Sequence, residues 1–84
     1  MQHPGIRLKQ LREERGLTEQ EVIKKIYPGK EHCTDVLLIK AWEKGITNLY
    51  DSLLIKLSIF FDVSIMYLLG FTSIKQRSDK YNIL

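Results

Sequence analysis

The sequence predicts an all-α domain of five short helices. Two observations carry that expectation. Apolar residues recur at spacings of three and four, and no segment alternates apolar and polar residues over the length of a strand. Helix punctuation recurs along the chain as well, with Gly16, Pro28-Gly29, Gly45 and Gly70 as stops and Thr18 and Ser64 as starts.

The first helix begins near Ile6, after a loose start over residues 1–5. Leu8 and Leu11 lie three apart on its apolar side. Arg7, Lys9, Arg12, Glu13, Glu14 and Arg15 read as a solvated face, and Gly16 as the C-terminal cap. Thr18-Glu19-Gln20-Glu21 fits a capping box, in which the threonine hydroxyl takes a first-turn amide and Glu21 reaches back to the Thr18 amide. Val22, Ile23 and Ile26 give the second helix its stripe. Pro28-Gly29 ends it, because proline has no amide to continue the ladder.

Thr34 or Asp35 is placed to cap a third helix that runs to about Lys44 and stops at Gly45. Leu38, Ile39 and Trp42 read as its inward face. A polar start over residues 48–51 opens a fourth helix, whose apolar side is Leu53, Leu54, Leu57, Phe60 and Phe61. Asp62-Val63-Ser64 is a short break, and Ser64 caps a fifth helix that Gly70 ends. Residues 1–71 make one domain and residues 72–84 a C-terminal tail.

The chain has 84 residues, enough for one thin core. At 44% hydrophobic and 27% charged it is not a disordered composition. Cys33 is the single cysteine, so the sequence supports neither an internal disulfide nor a zinc cluster, and it reads as a small apolar residue in a reducing cytoplasm. No apolar run is long enough to span a membrane, and no leader peptide is expected. The net charge of +3 is mild: residues 1–70 hold ten Lys/Arg against nine Asp/Glu, and the other +2 lies in the tail.

An enzyme is not expected. The sequence offers no Ser-His-Asp or Cys-His arrangement, no glycine-rich phosphate loop and no paired carboxylates in an apolar setting. So small a core leaves little room for a substrate cavity, and no cofactor, metal or small-molecule substrate is called for. His3 and His32 read as exposed and neutral, and Trp42 as core.

Leu11-Arg12, Gly16-Leu17-Thr18-x-x-Glu21, Trp42-Glu43-Lys44-Gly45, Leu53-Leu54-x-Lys56-Leu57 and Phe61-x-Val63-Ser64-x-x-x-Leu68-Leu69-Gly70 follow one another with characteristic gaps. In this order they resemble the Cro/repressor-like helix-turn-helix domains of the phage lambda repressor fold, over roughly residues 5–70. The resemblance implies a DNA-binding transcriptional regulator of phage-repressor type, acting as a homodimer on double-stranded DNA. The second helix would lie across the DNA backbone and the third, near residues 35–44, would enter the major groove.

The implied contacts are Thr18, Glu19 and Gln20 at the head of the second helix, where amides and the helix dipole favour phosphate. Lys30 joins them from the turn, with Asp35, Val36, Leu37, Lys40, Ala41 and Lys44 as the outward positions of the third helix. Lys40 and Lys44 suit phosphate, whereas Val36, Leu37 and Ala41 offer only apolar contact, such as to a thymine methyl. The sequence departs from the family pattern in two places. Glu19 stands where glutamine is usual. The turn at residues 27–33 is about six residues longer than the family's, an extension that costs little in loop entropy. The alternative expectation is a protein-interaction module on the same fold, using Val36, Leu37 and Ala41 as an apolar patch.

Overall fold

A computed structural model describes residues 4–30 and 33–75. Among them the chain forms five helices and no strand: α1 (Gly5–Glu14), α2 (Glu19–Ile26), α3 (Thr34–Glu43), α4 (Asp51–Phe61) and α5 (Ile65–Leu68). α3 packs on both α1 and α2, α4 on α2 and α5, and α5 closes back on α1. Leu8, Ile23, Ile39, Leu53, Leu57 and Leu68 are fully buried at the centre, drawn from every helix. Trp42 is 2% exposed and belongs to the same cluster, as its spacing predicts.

The helix ends follow from local chemistry. Gly16 has a φ of 67° and Gly45 one of 76°, a left-handed conformation that glycine adopts without a Cβ penalty. Each lets the next amide reach back to a stranded carbonyl, Leu17 N to Arg12 O at 3.0 Å and Ile46 N to Ala41 O at 2.9 Å. The capping box forms as the sequence predicts: Glu21 N donates to Thr18 Oγ1 at 3.1 Å, and Thr18 N donates to Glu21 Oε1 at 2.8 Å. Ser64 Oγ accepts from Tyr67 N at 3.0 Å and starts α5.

Several boundaries differ from the sequence expectation. α1 begins at Gly5, and Gly5 is buried instead of lying in a loose start. A Cβ placed there would stand 1.8 Å from the Trp42 carbonyl oxygen, so the lack of a side chain sets the approach of α1 to α3. α3 is capped by neither Thr34 nor Asp35. Its N-cap is Cys33, without a side-chain hydrogen bond. The turn before it is closed by backbone bonds, Lys30 N to Tyr27 O at 2.9 Å and Cys33 N to Lys30 O at 3.0 Å.

The segment after Gly70 is tied down. Ser64 N donates to Lys75 O at 2.8 Å, and the Arg7 guanidinium donates to the Tyr67 and Thr72 carbonyls while lying 4.4 Å from the Tyr67 ring centroid. Phe71 and Ile74 are exposed, and the other apolar residues of the tail, Tyr81, Ile83 and Leu84, lie outside the described residues. No described helix is long and apolar enough to cross a membrane.

Candidate nucleic-acid interface

The solvent side of α3 is set by which of its residues the core takes. Val36, Ile39, Trp42 and Glu43 are buried, at spacings of three and four along one face. The opposite face carries Thr34, Leu37, Lys40 and Lys44, all exposed, with Ala41 half-buried beside them. Leu37 is 65% exposed. Lys40 and Lys44 stand four apart and so share the last turns of this stripe.

Val36 was expected on this outward face and is not there. It is 8% exposed and part of the core cluster. The sequence spacing centres the inward face on Leu38, Ile39 and Trp42. Leu38 is only partly buried, and the stripe is centred nearer Ile39 because Glu43 is also drawn inside. An apolar patch of Val36, Leu37 and Ala41 therefore loses its first member.

Arg12 explains the buried glutamate. Its Nε donates to Glu43 Oε2 and its Nη2 to Glu43 Oε1, each at 2.8 Å, and its Nη1 donates to Leu17 O at 2.8 Å. The Arg12 and Glu43 side chains are 10% and 4% exposed. Arg12 is thus no part of a solvated face; it ties α1 to the end of α3 and to the turn before α2. Arg15 stays exposed and donates to the Phe60 and Phe61 carbonyls. The hydrogen bond to Glu43 raises the Arg12 pKa. Burial pushes the Glu43 carboxyl above its ordinary value, against the pull of Arg12.

At the head of α2, Thr18 is exposed and its oxygen is engaged in the cap. Glu19 is half-buried and turned toward Arg12, with Oε2 3.5 Å from Nη2. Burial raises its pKa, but its own backbone amide, Arg12 and the nearby Lys40 outweigh that and hold it below the ordinary value. The carboxylate at this position is therefore partly neutralised from within. Gln20 is exposed beside it.

Lys30 is exposed in the lengthened turn, on the rim of an open cavity of about 290 Å³. Tyr27, Cys33, Thr34, Asp35 and Tyr50 complete the lining. The Tyr50 hydroxyl donates to Asp35 Oδ2 at 2.8 Å, so Asp35 is half-buried and engaged within the protein. Desolvation first, and that hydrogen bond second, push the Tyr50 hydroxyl above the usual tyrosine range. No local pattern in the sequence marks Tyr50 or this cavity. It lies in the joint between the long turn and α4, outside the core. Among the described residues no His/Cys/Asp/Glu group is placed to hold a metal ion.

Compared with protein-family models, with curated proteins and with solved structures, the chain matches none.

Proposed function

We propose that the protein is a sequence-specific DNA-binding transcriptional regulator of the lambda repressor-like class, with α3 as the reading helix and α2 across the DNA backbone. The observation that carries this reading is the exposed stripe of Thr34, Leu37, Lys40 and Lys44, with half-buried Ala41 beside it, on a helix buttressed by α1 and α2. A rigidly backed helix with cations near its exposed end suits a groove lined by phosphate. Thr18 and Gln20 supply further contacts at the head of α2, and Lys30 supplies one from the turn. Leu37 and Ala41 give thymine-methyl contacts in place of hydrogen-bonded readout. A cytoplasmic homodimer accompanies this reading, since one such head reads few bases and two-fold symmetry suits a palindromic site.

Replacing Lys40 and Lys44 together by Ala tests it. Affinity for duplex DNA should fall alike on all sequences, and the salt slope should flatten by about two units. Parent-like binding by the double variant would place DNA on another face, and salt-independent behaviour of the parent would remove DNA altogether.

The second reading is a protein-interaction module. It is favoured by Leu37 and by Ile46, which is 72% exposed just past the end of α3. Such a module would bind a partner that Leu37→Glu abolishes, while phosphate contact would play no part.

A further inference from the structure

We propose that the open cavity at the head of α3 binds a small zwitterion of the amino-acid class, with its ammonium on Asp35 and its carboxylate on Lys30. The lining carries opposite charges, Lys30 from the turn and Asp35 from the first turn of α3. A simple cation placed there meets Lys30, and a simple anion meets Asp35. A molecule bearing both charges satisfies each. The hydrogen bond from Tyr50 fixes Asp35 through Oδ2 and leaves the second carboxylate oxygen for a donor. Carboxylate-to-ammonium bonds are the stronger, charge-assisted kind.

The cavity also has an aromatic character. Tyr27 and Tyr50 line it. A volume of about 290 Å³ is at the small end for ligand pockets, which sets the occupant at metabolite size. The inference does not depend on DNA binding.

The test uses the full chain and three probes: L-phenylalanine, phenethylamine without the carboxylate, and hydrocinnamate without the ammonium. Binding is read by tyrosine fluorescence and by thermal shift, for the parent and for Asp35→Asn, Lys30→Met and Tyr50→Phe. Circular dichroism establishes that each variant is folded. L-Phenylalanine should saturate the parent, and each single-charge probe should bind at least about tenfold more weakly. Asp35→Asn and Lys30→Met should each lose a similar factor, and Tyr50→Phe a smaller one. Absence of saturation by L-phenylalanine up to about 10 mM, equal binding of hydrocinnamate, or an unchanged affinity in folded Asp35→Asn would each overturn the proposal.

Discussion

Arg12 shows how one side chain can hold three parts of a small domain. It binds Glu43 through two nitrogens, takes the Leu17 carbonyl with a third, and lies within ion-pair distance of Glu19. Removing one partner of a buried pair leaves the other charge without compensation. Arg12→Met should therefore cost about 3–5 kcal/mol in urea unfolding, whereas Arg12→Met with Glu43→Leu should recover most of that. Equal losses in the single and double variants would mean that the methylene packing of Arg12 matters more than its charge. Gly5 is the second residue of this kind. Its missing Cβ faces backbone, not a movable side chain. Gly5→Ala should cost about 1–3 kcal/mol through overpacking, although alanine ordinarily favours a helix. A melting temperature at or above that of the parent would refute the close approach.

The two faces of α3 make opposite predictions for neighbouring residues. Val36→Ala should cost about 2 kcal/mol, and Leu37→Ala less than about 0.5 kcal/mol, because only Val36 is buried. The reverse order would restore the rotation expected from Leu38, Ile39 and Trp42. α2 depends on its cap. Thr18→Ala should cost about 1 kcal/mol. The Thr18 backbone hydrogen bond holds the Glu21 carboxyl below its ordinary 4.5. With the folded value depressed, that contribution is present above pH 4.5 and is lost as the pH falls through the folded value. Glu19 has the same sign, and Glu43, whose value is raised, has the opposite one. Glu21→Gln should thus lower the melting temperature near neutral pH, by an amount that shrinks as the pH falls below 4.5. A constant difference across that range would exclude the cap as its source.

At the scale of the molecule, the last described residues are hydrogen-bonded to the helices. The Lys75 and Thr72 carbonyls satisfy Ser64 N and Arg7, sixty and more positions apart in the Arg7 case. A chain ending at Lys75 should keep the parent's melting temperature, and one ending at Phe71 should be less stable by about 1–2 kcal/mol through the lost hydrogen bonds. Equal stability would make these contacts dispensable and place the end of the domain at residue 71. The same pair of chains tests the proposed dimer. Ile55, Ile59, Met66, Phe71 and Ile74 are exposed apolar residues, and exposed apolar patches mark interfaces. Light scattering should give a dimer for the full chain and a monomer for the chain ending at Phe71. If the shorter chain is still a dimer, Ile55, Ile59 and Met66 are the contact.

The sequence by itself determined the helix count, the stops at Gly16, Gly45 and Gly70, the caps at Thr18 and Ser64, and the burial of Trp42. These depend on chemistry within one or two turns, where spacing and cap geometry are local. Tertiary structure decided the rest. Val36 went inside because the buried arc of α3 is chosen by what α1 and α2 present to it. Glu43 went inside because Arg12, distant in sequence, came with it. Gly5 became a contact only when Trp42 lay across it, and Tyr50 reached Asp35 only when α4 folded beside the long turn. Sequence periodicity locates an apolar stripe to within a residue or so. Which polar side chains share its burial depends on partners that lie far along the chain.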